Sequence, residues 1–84
     1  MASAYPNPTT GSTTFRFELA TASNLNVQIV DAVGRRVATI SAKDYPAGVN
    51  EIKWQPNASV VPGQYIASVY AGKTLIQSLR VERR

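Results

Sequence analysis

The sequence of 84 residues contains no cysteine and no histidine. Disulfide bonds are therefore excluded, as are zinc sites built from cysteine and histidine and catalytic triads that use histidine. No apolar run approaches the roughly 20 residues of a membrane-spanning helix, and no apolar signal-peptide core follows the first four residues. The acidic residues are isolated along the chain, and there is no glycine-rich phosphate loop. We therefore expect a protein that is not an enzyme and that uses no cofactor and no metal.

Charged residues make up only 17% of the chain and are mostly positive. Nine lysines and arginines stand against five aspartates and glutamates, for a formal net charge of +4. The positive residues are scattered, apart from Arg35-Arg36 and a C-terminal group of Arg80, Arg83 and Arg84. No aromatic residues alternate with them as stacking platforms for bases would. The charge therefore indicates a solvated surface with a basic end, and no nucleic-acid partner.

Apolar residues recur at every second position, which is the pattern of a β-strand with one buried face. Turn signals separate these segments about every ten residues, and no helical period is present. Strands are predicted at 12–19, 25–30, 36–40, 49–54, 64–70 and 74–81, with a seventh if the region of Tyr5 pairs. Residues 41–48 are predicted to be a polar loop. This organisation predicts an all-β fold, an Ig-like antiparallel β-sandwich of about seven strands.

The inward positions of these strands form the predicted core, with Trp54 as its largest member. In the last strand, Leu75, Leu79 and Val81 are predicted to share one face. The predicted core comprises Phe15, Phe17, Leu25, Val27, Ile29, Ile52, Trp54, Tyr65, Ala67, Val69 and Leu79.

Residues 60–70 join a turn to the most regular strand of the sequence. Pro62 fixes φ at about −65°, and Gly63 can adopt the positive φ that a type II turn requires. Tyr65 follows, and its hydroxyl can reach back to the turn, as the tyrosine of an Ig-type corner does. Ile66 lies on the outward face and breaks its polarity. A second turn, residues 31–34, has Asp first and Gly last, the preference of a type I turn.

Several short motifs occur along the chain in a distinctive order and spacing. They are Tyr5-Pro6-Asn7-Pro8-x-x-Gly11, Val27-x-Ile29-x-Asp31-x-x-Gly34-Arg35-x-Val37, Gly48, Pro62-Gly63-Gln64-Tyr65, Gly72-Lys73 and Leu79-Arg80-Val81. Together they resemble the type A C-terminal sorting domain of proteins exported by the type IX (Por) secretion system of Bacteroidota. The motif residues of that family would be Pro6, Asn7, Pro8, Gly11, Gly34, Pro62, Gly63 and Tyr65.

This resemblance implies a C-terminal signal that directs export of a cargo protein across the outer membrane and its attachment to the cell surface. The implied partners are the type IX translocon, outer-membrane shuttle proteins, a sortase-like peptidase and a cargo domain N-terminal in the same chain. The implied location is the cell surface or the medium, reached through the periplasm. Residues 1–4 would be linker or vector-derived, and residues 5–84 the domain, cut from a longer protein. An exposed edge strand would also allow a weak homodimer.

A signal read by a secretion machine must be accessible after folding, and every cargo shares the chain terminus. The excess of positive charge also lies there. The predicted recognition surface comprises Arg35, Arg36, Lys73, Leu79, Arg80, Val81, Arg83 and Arg84.

Two alternatives remain open. The spacing Gly48-x-x-x-Ile52-x-Trp54, continued by Pro62-Gly63-x-Tyr65, is also similar to the Ig-like domain of flagellar hook-capping proteins. That resemblance implies a structural or assembly module. A carbohydrate-binding accessory domain would need several exposed aromatic rings on one face, for which Tyr5, Tyr45 and Tyr70 are the candidates.

Overall fold

The computed structural model describes residues 2–5, 11–57 and 60–84. The strands are β1 (Ala2–Tyr5), β2 (Thr13–Leu19), β3 (Ser23–Asp31), β4 (Arg36–Tyr45), β5 (Gly48–Trp54), β6 (Gly63–Ala71) and β7 (Thr74–Arg83). The predicted all-β fold of seven strands is confirmed, and the region of Tyr5 supplies the seventh strand. Within these described ranges, no helix is long and apolar enough to cross a membrane.

The strands form two antiparallel sheets. One sheet has three strands in the order β1-β2-β5, and the other has four in the order β4-β3-β6-β7. The connections from β2 to β3, from β4 to β5 and from β5 to β6 each pass from one sheet to the other. The inner faces of the two sheets enclose the core, so the molecule is the expected Ig-like sandwich.

Alternation along the strands fills this core with apolar side chains. The buried cluster consists of Phe15, Phe17, Leu19, Leu25, Val27, Ile29, Ile52, Trp54, Val60, Tyr65, Ala67, Val69 and Val81. Every predicted core residue except Leu79 belongs to it. Leu79 is half-buried and packs against the cluster, whereas Leu19, Val60 and Val81 join the core beyond those predicted.

Aromatic rings connect the two sheets through the core. Phe15 stacks on Trp54 with ring centroids 6.5 Å apart, and Trp54 meets Tyr65 edge-on at 6.1 Å. Trp54 belongs to the three-stranded sheet and Tyr65 to the four-stranded sheet. Both side chains are almost fully buried. The contact between them therefore fixes the start of β6 against the opposite sheet.

β4 is longer than predicted, because residues 41–45 continue the strand instead of forming a loop. Ser23 pairs with Tyr45, and a register shift follows between Leu25 and Val27. β4 lies at the edge of its sheet, and its residues 41–44 are all exposed. Their polarity thus reflects solvent exposure at a sheet edge and not a loop.

A register shift also interrupts the pairing of β6 with β7. Val69 pairs with Gln77, whereas the next residue, Tyr70, pairs with Leu75. A β-bulge of this kind places an extra residue in one strand and reverses the alternation beyond it. The prediction that Leu75 shares the inward face of Val81 was therefore wrong, and Leu75 is 52% exposed.

The first strand begins earlier than the predicted domain boundary. Ala2 pairs with Phe17 and Tyr5 with Thr14, so β1 includes residues that we expected to be a linker. Ala4 packs against the core. The motif residues Pro6, Asn7 and Pro8 lie outside the described residues.

Candidate functional site

A hydrogen bond from Tyr65 holds the segment before β6 in place. Its hydroxyl donates a hydrogen bond to the backbone carbonyl of Val61, four residues earlier. This bond confirms the predicted tyrosine corner. Gly63 has a φ of 155° and pairs with Arg83 as the first residue of β6. The predicted type II turn, which needs a φ of about +80° at that position, is therefore not formed.

The turn between β3 and β4 is organised by Asp31. The Gly34 N–H donates to the Asp31 carbonyl at 3.0 Å, and neither Ala32 nor Val33 has a positive φ, so the predicted type I turn is confirmed. Gly34 has a φ of 89°, the left-handed conformation that closes a three-residue hairpin loop. The Asp31 side chain accepts N–H bonds from Val33 at 3.0 Å and from Arg35 at 2.9 Å. One carboxylate thus fixes most of the loop.

The Arg35 side chain closes onto the same carboxylate. Its Nε donates to Oδ2 of Asp31 at 3.0 Å. The Arg35 backbone N–H, helped by the Val33 N–H and by the Arg35 guanidinium, holds the pKa of Asp31 below its ordinary value despite partial desolvation. The Arg35 side chain is 81% exposed. An ion pair this exposed contributes little to stability, so Arg35 remains a surface cation.

Two further arginines lie on the outer face of the four-stranded sheet next to this turn. Arg36 pairs with Val30, Val30 with Ile66, and Ile66 with Arg80. These residues form a row across all four strands, with an arginine at each end and apolar side chains between them. Because adjacent strands lie about 4.8 Å apart, the two arginines flank an apolar strip only a few side chains wide.

The last residues of β7 hold the loop that precedes β6. The Nε of Arg83 donates to the Val60 carbonyl at 2.9 Å. The Nε of Arg84 lies 2.9 Å from Oε2 of Glu82. Hydrogen bonds from the Arg84 side chain and then from Gln64 keep the pKa of Glu82 below its ordinary value. Arg83 is therefore fixed against the loop before β6, and Arg84 is paired with Glu82 at the chain end.

Residues 31–36, 60–66 and 80–84 together form the corner end of the molecule. The basic residues at this end are Arg35, Arg36, Arg80, Arg83 and Arg84, and the acidic ones are Asp31 and Glu82. The corner end therefore has a formal net charge of +3, whereas that of the whole chain is +4. The rest of the domain, which is larger, has nearly balanced charge.

Most of the residues predicted to form a recognition surface meet at the corner end. The five arginines of that prediction lie there, next to the motif residues Gly34, Pro62, Gly63 and Tyr65. Lys73 does not join them, because it lies in the β6–β7 turn at the opposite end of the sandwich. Gly11 is exposed just before β2.

Two residues of the predicted recognition surface point towards the interior. Val81 is completely buried and pairs with Tyr65. Leu79 pairs with Ala67 and packs half-buried against the core. Val81 therefore offers no surface to a partner, and its inclusion was wrong. The sequence contained a signal for this, because Leu79 and Val81 flank the exposed Arg80, and side chains of neighbouring strand residues point to opposite faces.

Three apolar side chains lie exposed at the corner end, and sequence reasoning placed only one of them, Ile66, on the outward face. Val33 is 74% exposed, Val61 is 65% exposed and Ile66 is 42% exposed. The only sequence signal was the break in outward polarity at Ile66. The two valines lie in loops, where no periodicity separates a buried side chain from an exposed one.

The aromatic residues considered for carbohydrate binding do not share a face. Tyr5 lies in the three-stranded sheet, where its hydroxyl donates to Glu51, and this bond is the main reason that the pKa of Tyr5 is raised. Tyr70 lies on β6 in the other sheet. Tyr45 packs edge-on against Phe17 with ring centroids 5.8 Å apart, and burial raises the pKa of its hydroxyl. These rings form no sugar-binding platform.

The surface shows no sign of a metal centre in the parts of the chain that the structure describes. No group of three acidic side chains there is close enough to hold an ion. What the corner end can do chemically is to present ordered guanidinium groups beside aliphatic side chains.

Comparison with known proteins identifies the family. The family model of the FlgD Ig-like domain matches residues 3–74, which run from β1 to the first residue of β7. A search of curated proteins found no significant match.

The match overturns the predicted type IX sorting domain. The motifs that suggested that family include the Asp31 turn and the corner of Tyr65, and the structure shows that both serve the sandwich itself. Turns that an Ig-like fold needs do not distinguish between families that share the fold. The sorting-signal function was therefore wrong, and the chain belongs to the FlgD Ig-like domain family.

Proposed function

We propose that this domain is a structural module of flagellar hook assembly, of the kind found in hook-capping proteins, and that it is not an enzyme. The observation that carries the proposal is the family match over residues 3–74. The matched range includes five complete strands, β2 to β6, and most of β1, and therefore both sheets.

The interior of the sandwich supports a structural role. Its buried positions hold apolar side chains and a single polar residue, Thr13, among the residues described. The aromatic contact between Trp54 and Tyr65 joins the two sheets, from the last residue of β5 to the start of β6. A closed interior of this kind supplies rigidity and no reactive group, which is what an assembly module requires.

A domain exchange in a motile bacterium tests the proposal. The Ig-like domain of its hook-capping protein would be replaced by residues 2–84 of this chain, and hooks would be counted by electron microscopy. We expect hooks to form, and swimming in soft agar to be retained at least in part. The same exchange carrying Trp54→Ala, which removes the core side chain that contacts both Phe15 and Tyr65, should form far fewer hooks.

The contrary result is equally clear. If the exchanged protein were folded and exported at the normal level but no hooks formed, this domain would not be a hook-assembly module. Export and folding would be checked by immunoblotting and by resistance to proteolysis, so that failure of assembly is separated from failure to fold.

A further inference from the structure

We propose that the corner end is a docking surface for an acidic protein segment that carries aliphatic side chains. The inference rests on the charge, the exposed apolar residues and the ordered loops of this end. It goes beyond the hook-assembly role, because Arg80, Arg83 and Arg84 lie outside the matched range of residues 3–74.

The first support is the concentration of charge. Five of the nine basic residues and only two of the five acidic residues lie at the corner end. Arginine guanidinium groups bind carboxylates with paired hydrogen bonds and retain their charge at any physiological pH. A positive surface of this kind attracts an acidic partner and orients it as it approaches.

The second support is the apolar surface between the arginines. Ile66 is 42% exposed and lies beside Arg80 in the row across the sheet. Val33 and Val61 line a neighbouring shallow depression together with Pro62. Charged residues around an exposed aliphatic strip form a typical protein interface, in which apolar contact gives affinity and the polar rim gives orientation.

The third support is that the loops are already held in place. The Asp31 carboxylate fixes the turn, the Tyr65 hydroxyl holds the Val61 carbonyl, and Arg83 holds the Val60 carbonyl. Loops that are ordered before binding lose little conformational entropy when a partner binds. The corner end is therefore preorganised for binding.

The aliphatic character of this surface favours protein over nucleic acid. Surfaces that bind single-stranded nucleic acid stack bases on exposed aromatic rings. The aromatic ring at the corner end, Tyr65, is 3% exposed and is committed to the core. An acidic segment with leucine-like side chains instead satisfies both the arginines and Ile66.

The test uses a fluorescein-labelled peptide of glutamates interrupted by leucines, with binding measured by fluorescence anisotropy at physiological salt. We expect saturable binding in the micromolar range. The double variant Arg36→Glu and Arg80→Glu should weaken it at least about tenfold, as expected for charges inside an interface. The matched control, Lys43→Glu and Lys73→Glu, makes the same change in net charge towards the opposite end of the sandwich and should change binding less than about twofold.

The apolar part is tested with Ile66→Ser and with a peptide whose leucines are replaced by serine. Each change should weaken binding several-fold, and the two together should weaken it no more than either alone, since they remove the same contact. Urea unfolding of every variant separates loss of binding from loss of folding.

Three results would overturn the proposal. One is the absence of saturable binding to the folded wild-type domain. Another is equal weakening by the two double variants, which would show that only net charge matters. The third is tighter binding of an oligothymidylate of equal charge than of the acidic peptide, which would assign the corner end to nucleic acid.

Discussion

The two ends of the sandwich close their turns with different chemistry. At the corner end, charged side chains make most of the bonds: Asp31 holds its own turn and Arg83 holds the Val60 carbonyl, beside the neutral Tyr65 hydroxyl on the Val61 carbonyl. At the far end, which consists of residues 20–23, 46–50 and 71–74, neutral side chains do so. Asn50 donates to the Pro46 carbonyl at 2.8 Å, and Ser23 donates to the Thr21 carbonyl at 3.1 Å.

This difference between the two ends indicates the role of the arginines at the corner end. Neutral amides and hydroxyls are sufficient to close turns in this fold, as the far end shows. Exposed ion pairs contribute little to stability. The excess of guanidinium groups at the corner end is therefore better explained by binding than by folding, and the arginine substitutions described above separate the two explanations.

The largest effect is expected in the core, at the aromatic contact that joins the two sheets. Trp54→Ala removes the ring that contacts both Phe15 and Tyr65, and should lower the free energy of unfolding by about 3–5 kcal/mol. Urea denaturation measures this loss. The neighbouring exposed Lys53→Ala should cost less than about 0.5 kcal/mol. A loss below about 1 kcal/mol for Trp54→Ala would show that this ring does not join the two sheets through the core.

The next effect is confined to the turn at the corner end. Gly34 has a φ of 89°, and a side chain in that conformation costs about 1–2 kcal/mol. Gly34→Ala should therefore destabilise the domain by that amount in a thermal or urea melt. Gly11, whose φ is not positive, is the matched control, and Gly11→Ala should be neutral or slightly stabilising. Equal effects at the two glycines would contradict the assigned turn geometry.

Removal of one hydroxyl tests the tyrosine corner. Tyr65→Phe keeps the ring contact with Trp54 but loses the bond to the Val61 carbonyl. We expect a loss of about 1 kcal/mol, the usual net value of such a bond. Tyr70→Phe, on the same strand, should change stability by less. If the two substitutions had the same effect, the corner bond would contribute nothing specific.

The smallest expected effect depends on pH. The pKa of Asp31 in the folded domain lies below its ordinary value of 3.8. The charged carboxylate therefore stabilises the fold above that ordinary value, and the contribution is lost as the pH falls through the folded-state pKa. Stability of the wild type should consequently fall more steeply with acidification below about pH 4 than that of Asp31→Asn. Parallel curves for the two proteins would show that this carboxylate is not held by the turn.

Much of the fold could be predicted because alternation is a local property. Phe15, Phe17, Val27 and Ile29 follow period two without interruption, and all four are buried as expected. Residues 41–45 were misassigned because an edge strand can be polar on both faces. Leu75 was misplaced because a bulge depends on the pairing of two strands and leaves no mark in the sequence of either.

The candidate site was harder to predict than the fold. The arginines at 35, 36 and 80–84 stand out by charge alone, but only the register of four strands brings Arg36 and Arg80 into one row. That register also places Lys73 at the far end. The family was misassigned for a related reason, since the motifs that carried the resemblance are turn and corner residues that many Ig-like domains need.

Mapping the bound acidic peptide by nuclear magnetic resonance tests the contrast between the two ends most directly. Backbone amide shifts of the isotope-labelled domain would be followed as the glutamate–leucine peptide is added. We expect the largest changes at residues 31–36, 60–66 and 80–84, with little change at 20–23, 46–50 and 71–74. Changes that centred on the far end, or that spread evenly over both ends, would contradict the assignment of the corner end as the binding surface.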